Sequence, residues 1–239
     1  MLTYKNLTII GTSHISIESI KEVKSFIQKN KPDIIALELD QKRYYSLQHK
    51  VKPKLKDVFS IGIGPFLINI IGAYIEKKLG EIVKVSPGSE MKAAIKLAKK
   101  YKLKIELIDQ DINITLKRLL KELTFKEKLR FVYDIIKNIV KGIFKKQKIN
   151  FDLTKVPPRE IIKDLISKVK INYPSVYKTL IYERNIIMAK NLNKLIYLNP
   201  NKKILAIIGA GHEEDLIELI KGDKNIIYSN YNSDINICI

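Results

Sequence analysis

The stretch Ile204-Leu-Ala-Ile-Ile-Gly-Ala-Gly-His212 decides the fold. Its first five residues, 204–208, are all apolar, and Gly209 follows them directly. A short apolar run that glycine ends is typical of a strand in a parallel sheet covered on both faces. Residues 213–221 then have apolar side chains at helical spacing. The stretch therefore predicts a strand, a glycine-rich turn and a helix, which is the repeating unit of an α/β protein.

The same pattern occurs three times earlier in the chain. Apolar runs that predict strands cover 7–10, 34–37 and 104–108, and helical spacing covers 17–29, 41–50 and 89–101. Ser16 is the predicted N-cap of the first helix. Strands that alternate with helices favour parallel pairing through right-handed crossovers. We therefore predict an α/β fold with a mainly parallel central sheet flanked by helices, as one domain over residues 1–239. Short runs near 226–228 and 235–237 predict two further strands.

Two long insertions, about 52–80 and 112–196, interrupt this alternation. The first contains Val58–Ile75, eighteen residues without a charge between lysine-rich flanks. This segment has the length of a membrane span, but its three glycines and Pro65 favour a buried, lid or dimer-interface element. The second insertion is helical and basic, with eleven Lys or Arg against three Asp or Glu over 117–148. It predicts either a solvated amphipathic face or attraction to an anionic membrane surface.

The net charge of the chain is +19, from 44 Lys and Arg against 25 Asp and Glu. Such a surplus suits a nucleic acid or an anionic membrane as partner, but we favour the simpler explanation, a lysine bias from an AT-rich genome or from heat adaptation. Paired-cysteine modules, an aromatic RNA-binding signature and tryptophan are all absent, so no specific nucleic-acid partner is predicted. Cys238 is the only cysteine, and the N-terminal sequence lacks a signal peptide. We therefore predict a cytoplasmic protein, at most peripheral to the membrane.

Each predicted strand is followed by a histidine or a carboxylate, the residue types that serve in catalysis and metal binding. His14 follows 7–10, Glu38 follows 34–37, Asp109 and Asp111 follow 104–108, and His212 follows 204–208. The carboxyl ends of parallel strands share one edge of a sheet, where α/β proteins place their sites. Two imidazoles and a carboxylate are natural ligands for a divalent metal and leave positions open for water and substrate.

Each of these residues also has a simpler structural explanation. Glu38, Asp109 and Asp111 suit helix N-termini, where acidic side chains complement the helix dipole. Gly209-Ala-Gly211 is half of a dinucleotide fingerprint, but Glu214 stands at the third glycine position. The chain has neither a Gly-x-Ser-x-Gly elbow nor a His-Glu-x-x-His helix. The paired Gly-x-x-His motifs at two predicted strand ends favour a functional site.

Together the motifs resemble those of the TraB/PrgY family, which groups with the Tiki proteins and more distantly with the ChaN-like proteins. The order and spacing of six short motifs carry the resemblance: Gly11-Thr-Ser-His14, Glu38-Leu-Asp40 with Arg43, Pro87-Gly-Ser-Glu-Met91, Asp109-Gln-Asp111, Glu183-Arg184 and Gly209-Ala-Gly-His212.

The resemblance implies a metal-dependent protease that uses manganese or cobalt, with zinc as a further choice. It implies a peptide or protein substrate and a homodimer. His14, Glu38 and His212 are the expected metal ligands, and Arg43 and Arg184 are expected to orient the substrate. Glu90 and Asp111 are alternative general bases or outer ligands, and the sequence does not rank them. The two glycine-rich turns are expected to bind substrate through Gly11, Thr12, Ser13, Gly209 and Gly211.

Three functions are therefore compatible with the sequence. The first is a metal-dependent peptidase or related hydrolase. The second is a regulator that binds a pheromone-like peptide in the same pocket without turnover. The third is a basic protein that associates with a membrane surface or a nucleic acid, in which case binding would be salt-dependent and independent of both histidines.

Overall fold

The computed structural model describes residues 1–13, 16–49, 88–144 and 158–222. The predicted segment Val58–Ile75 and the predicted tail strands near 226–228 and 235–237 lie outside these residues. In chain order the strands are β1 (Leu2–Tyr4), β2 (Leu7–Thr12), β3 (Ile34–Leu37), β4 (Lys104–Leu107) and β5 (Ile204–Gly209). They form a sheet in the order β1-β2-β5-β3-β4. The last of these strands in the sequence, β5, lies between β2 and β3 and pairs with both in parallel.

Helices connect and cover these strands. They are α1 (Ile17–Asn30), α2 (Gln41–Gln48), α3 (Ser89–Tyr101), α4 (Ile112–Glu122), α5 (Phe125–Phe144), α6 (Arg159–Asn172), α7 (Pro174–Tyr177), a π-helical turn (Lys178–Tyr182), α8 (Glu183–Leu198) and α9 (Glu213–Lys221). Among the helices of the described ranges, none has both the length and the apolar character needed to cross a membrane.

Alternating side chains of the sheet supply two separate cores. On one face Ala206 and Ile208 of β5 pack with Met188 of α8 and Leu216 of α9. On the other face, Leu205 and Ile207 belong to the cluster of α1 and α3, whose buried members include Val23, Ile27, Ala94 and Ala98. Because β5 is buried along its whole length, it needs apolar residues on both faces, which explains its continuous apolar sequence.

The predicted α/β fold with a mainly parallel sheet is confirmed, and most element bounds agree within two residues. Ser16 caps α1 as predicted, since its hydroxyl accepts a hydrogen bond from the backbone N–H of Ser19 at 3.2 Å. The prediction for residues 7–10 is too short, because β2 continues to Thr12 alongside Gly209. The strand β1 has no counterpart in the prediction. It pairs with β2 antiparallel through a tight turn in which Lys5 has a φ of 52°.

The second predicted insertion is helical from α4 to α8 in its described part, and a buried carboxylate ties its helices together. Glu127, 3% exposed in the first turn of α5, accepts hydrogen bonds from the backbone N–H and hydroxyl of Thr124 at 2.9 and 2.7 Å. Its other oxygen accepts a hydrogen bond from the backbone N–H of Ser175 in α7 at 2.8 Å. Burial opposes ionisation, but these hydrogen bonds outweigh it and lower the pKa of Glu127 from 4.5 to about 2.

Glu127→Gln is expected to lower the free energy of unfolding by about 2–3 kcal/mol at pH 7, because the amide keeps the shape but not the charge. The folded-state pKa is below the ordinary value of 4.5. The ionised Glu127 carboxylate therefore contributes fully to the free energy of unfolding above pH 4.5, and this contribution disappears as the pH falls towards 2. Urea unfolding at pH 7 and pH 3 measures this difference. Glu122→Gln is the control, because its partially exposed ion pair with Lys178 contributes less than about 1 kcal/mol. Equal losses in the two variants would contradict the prediction.

Candidate functional site

Glu38 lies where three parallel strands end. It follows β3 directly, and its backbone N–H donates to the carbonyl of Ile207 at 3.1 Å, so the chain stays in register with β5 for one further residue. Its Oε2 accepts a hydrogen bond from the backbone N–H of Gly209 at 2.5 Å. The side chain is only 4% exposed. Glu38 therefore joins the carboxyl ends of β3 and β5 and is held in a fixed position.

His212 faces Glu38 from the next turn of the chain. Its backbone N–H donates to the carbonyl of Gly209 at 2.9 Å, which folds the Gly-Ala-Gly turn back onto β5. This turn brings Nε2 of His212 to 3.4 Å from Oε1 of Glu38. On the opposite side of the ring, Nδ1 lies 2.6 Å from Oδ1 of Asn185. The sequence prediction that Glu38 and His212 meet across 174 positions is therefore satisfied by the geometry.

Arg184 fills the space between the acidic residues of the site. Its Nη2 donates to Glu38 and, at 2.6 Å, to Oδ2 of Asp109, while Nε lies 3.2 Å from both Asp109 oxygens. Its Nη1 lies 3.3 Å from Nε2 of His212 and donates to the carbonyl of Leu180 at 3.1 Å. Burial would lower the pKa of Arg184, but the negative charges of Glu38 and Asp109 raise it above its ordinary value. Arg184 is therefore a permanent cation at this edge.

The π-helical turn Lys178–Tyr182 lies next to Arg184 and contacts its guanidinium. It directly precedes α8, and π-helical turns recur at functional positions because they shift the side chains that follow. The carbonyl of Leu180, inside this turn, accepts one of the guanidinium hydrogen bonds. The neighbouring Glu183 binds Arg118 of α4 through two hydrogen bonds at 2.6 and 2.7 Å, which fixes the start of α8 against α4.

Arg43 belongs to the same network but lies further from His212. Its guanidinium donates to Asp109 and, at 2.9 Å, to Oδ2 of Asp40, the N-cap of α2. The Asp109 side chain, 0% exposed, thus bridges Arg43 and Arg184. Arg43 is 31% exposed and Arg184 12% exposed. The two arginines predicted to orient substrate therefore share one buried carboxylate.

An open cavity of about 340 Å³ lies over this edge of the sheet. Four of the five residues predicted to bind substrate line it, together with both described metal-ligand candidates and Arg184. The lining residues are Thr12, Ser13, Glu38, Ile162, Ile181, Arg184, Gly209, Ala210, Gly211 and His212. The fifth predicted residue, Gly11, instead packs against Glu213.

Gly11→Ala is expected to destabilise the fold by about 1–3 kcal/mol, because overpacked positions force their neighbours apart. A Cβ at Gly11 would lie 2.9 Å from Oε2 of Glu213 and 3.2 Å from the Cα of Ala210. Gly211→Ala is the matched control, since the nearest atom to its Cβ would be Cδ1 of Ile166 at 3.7 Å. Thermal unfolding of both variants measures the difference. A loss in Gly211→Ala as large as that in Gly11→Ala would contradict this account.

The alternative bases differ in their surroundings. Asp111 caps α4 by accepting from the backbone N–H of Asn113 at 2.8 Å, and its carboxylate binds Lys42 at 2.6 Å. Burial would raise the pKa of Asp111, but the hydrogen bonds from Lys42 and Asn113 hold it below its ordinary value. Glu90 is 1% exposed in the first turn of α3, whose backbone enters through Gly88 at a φ of 73°. His14 lies outside the described residues and directly follows Ser13 in the chain.

The described residues supply two of the three predicted ligands of a divalent metal, Glu38 and His212. Two ligand atoms about 2.1 Å from one ion are separated by roughly 3.0–3.4 Å, and Nε2 of His212 and Oε1 of Glu38 are 3.4 Å apart. The hydrogen bond of the other ring nitrogen to Asn185 is the support that metal-binding histidines usually have. Within residues 1–13, 16–49, 88–144 and 158–222, no group of three or more His, Cys, Asp or Glu is arranged to hold a metal. The third predicted ligand, His14, is outside those ranges.

Two members of the site had no role in the sequence prediction, although Asp109 was named there as a strand-end residue and as part of a motif. Asp109 follows the β4 region just as Glu38 follows β3, so the strand-end argument that selected Glu38 applies to it equally. Asn185 follows Arg184 in the chain, and only the placement of α8 behind His212 reveals its contact. Nothing in the sequence pattern distinguishes Asn185 from an ordinary helix residue.

Comparison with known proteins shows the family to which the chain belongs. The family model described as TraB/PrgY/gumN family matches residues 3–221. An uncharacterized protein of Methanocaldococcus jannaschii is 38% identical over 224 residues, which cover 92% of this chain and 54% of that protein. The TraB domain-containing proteins of Homo sapiens and Mus musculus are each 22% identical over 96% of this chain and 63% of their own length. The chain thus spans between half and two thirds of these relatives. It belongs to the TraB/PrgY/gumN family.

Proposed function

We propose that this protein is a metal-dependent hydrolase that acts on peptides. The observation that carries the proposal is the approach of Nε2 of His212 to Oε1 of Glu38, at 3.4 Å, in the wall of an open cavity. An imidazole and a carboxylate at that separation form half of a metal site with positions left for water and substrate. The location agrees with the rule that α/β folds bind ligands at the carboxyl ends of their strands.

His14, Glu38 and His212 would hold the metal, which when bound would polarise a carbonyl and lower the pKa of a water molecule. Arg184 keeps its positive charge and lines the cavity, so it can attract a substrate carbonyl or carboxylate electrostatically while its N–H groups stay bonded to Glu38, Asp109, His212 and Leu180. Asp109 holds the guanidinium in place for that task. Asp111 is engaged by Lys42 and a helix terminus, and neither Asp111 nor Glu90 is among the described residues that line the cavity, so the proposal assigns the general base to neither.

The shape of the surface supports an extended substrate. A second cavity of about 290 Å³ runs between α6 and α9 and shares Ile162, Ala210 and Gly211 with the first. The two cavities are neighbours on either side of these three residues, and the first of them contains Glu38 and His212. A peptide chain fits two such neighbouring cavities better than a compact metabolite does.

A regulator that binds peptides without turnover is the second candidate. Arg184 already contacts both Glu38 and His212, so the negative charge of the site is compensated by the protein itself. A guanidinium in a cavity wall is a natural site for the carboxylate of a peptide. Binding of a peptide without cleavage would therefore need no metal ion in addition to Arg184.

The experiment that separates these functions is a peptide-cleavage screen with chelator-stripped protein. Mixed synthetic peptides are incubated with added manganese, cobalt or zinc, and the products are identified by mass spectrometry. We expect cleavage that requires metal and that is lost in His14→Ala. Peptide binding without any product, in samples where calorimetry shows the metal bound, would favour the regulator and overturn the hydrolase.

A further inference from the structure

Asn185 is fully buried behind the ring of His212. It lies in the first turn of α8 and is 0% exposed. Its Oδ1 lies 2.6 Å from Nδ1 of His212, on the side of the ring opposite to Glu38. A contact this short and this well shielded from water constrains the imidazole strongly.

The neighbouring arginine decides which ring nitrogen carries the proton. Arg184 has only donors, and its Nη1 lies 3.3 Å from Nε2 of His212. A proton on Nε2 would point at this donor, and the carboxylate oxygen on the same side, Oε1 of Glu38 at 3.4 Å, already accepts a hydrogen bond from Arg184. The neutral ring therefore carries its proton on Nδ1, which donates to Oδ1 of Asn185. The opposite orientation of the amide would turn its NH₂ group towards Nδ1 and require the unfavourable proton on Nε2.

The other end of the same amide has an apparent cost without a local benefit. Nδ2 of Asn185 is buried and has no hydrogen-bond partner among the described residues. An unpaired buried donor is destabilising, and an apolar side chain would avoid it. The hydrogen bond that the described residues show for this side chain is the one between its oxygen and His212.

We infer that Asn185 is a positioning residue that holds His212 in the Nδ1–H tautomer, with the Nε2 lone pair on the side of the ring where Arg184 and the cavity lie. This inference deepens the proposed function. It rests on that proposal only for the statement that the Nε2 lone pair serves to bind a metal, and the tautomer itself is independent of it. An imidazole binds a divalent metal through such a lone pair, and the hydrogen bond on the far nitrogen fixes its direction.

The tautomer can be measured without metal or substrate. Nitrogen-15 NMR of the chelator-stripped protein, at a pH where the ring is neutral, distinguishes a protonated from an unprotonated ring nitrogen. We expect Nδ1 to be protonated in the wild type and in Asn185→Asp, which keeps the acceptor oxygen. In Asn185→Leu we expect a shift towards the Nε2–H form that free histidine prefers in water. A wild-type ring protonated on Nε2 would overturn the inference.

Calorimetry with manganese on the same three proteins then tests the consequence. We expect Asn185→Leu to bind about 10–100-fold more weakly than the wild type and Asn185→Asp to retain binding. Thermal unfolding checks that each variant is folded, and the wild-type spectrum decides the tautomer even if Asn185→Leu does not fold. If folded Asn185→Leu keeps both the wild-type tautomer and the wild-type affinity, the positioning role is wrong. If no variant binds metal while the tautomer responds as expected, the positioning role stands and the hydrolase proposal fails.

Discussion

Arg184→Leu is expected to destabilise the protein by about 3–5 kcal/mol, the largest stability effect in this site. The guanidinium is the shared partner of Glu38, 4% exposed, and Asp109, 0% exposed. Removing it leaves two carboxylates close together in a region that water hardly reaches. Breaking a buried ion pair from one side is costly because the remaining charge is desolvated and uncompensated. Urea unfolding at pH 7 measures the loss.

Arg43→Leu provides the matched control for this prediction. Arg43 also binds Asp109, but its side chain is 31% exposed, and Arg184 remains to compensate the carboxylate. We therefore expect a clearly smaller loss from Arg43→Leu. Adding Glu38→Gln to Arg184→Leu should recover part of the stability, because it removes the carboxylate that loses its arginine partner, whereas Asp109 keeps Arg43. Equal losses at Arg43 and Arg184, or simple additivity in the double variant, would contradict a shared buried network.

The sheet could be predicted from the sequence because its parallel strands are buried on both faces. Complete burial demands apolar runs such as 34–37 and 204–208, and those runs have almost the bounds of β3 and β5. The edge strand β1 lacks this constraint. With residues only half-buried or exposed, Leu2–Tyr4 leaves no distinctive pattern in the sequence.

The site was predictable to the extent that the topology determines it. Parallel strands share a carboxyl edge, so the residues after them converge, as Glu38 and His212 do. The details depend on long-range packing that no local pattern encodes. The strand order of the sheet places β5 between β2 and β3. Helix α8 then brings Arg184, 146 positions after Glu38, and the adjacent Asn185 to the same edge. Asp111 was indistinguishable from Asp109 by sequence, yet only Asp109 joins the arginines.

His212→Ala and Glu38→Gln are each expected to weaken manganese or cobalt binding by more than about 100-fold. Even a residue that only supports a ligand costs about 10–100-fold when it is replaced, so the loss of a direct ligand costs more. His212→Ala removes the imidazole that lies 3.4 Å from Glu38, and Glu38→Gln replaces a carboxylate by an amide of almost the same shape. Calorimetric titration of chelator-stripped protein measures the affinities, and thermal unfolding confirms that the variants are folded.

His49→Ala is the control that makes this test specific to the site. His49 is the C-cap of α2, and its ring lies against Tyr45 with the two ring centroids 4.2 Å apart. It takes no part in the hydrogen bonds that join Glu38, Arg184 and His212 and is not among the described residues that line the cavity. Its replacement should leave metal affinity unchanged, because imidazole loss at that position does not alter the carboxyl edge of the sheet. Wild-type affinity in folded His212→Ala, or an equal loss in His49→Ala, would show that the metal binds elsewhere and that the cavity at the end of β5 serves recognition alone.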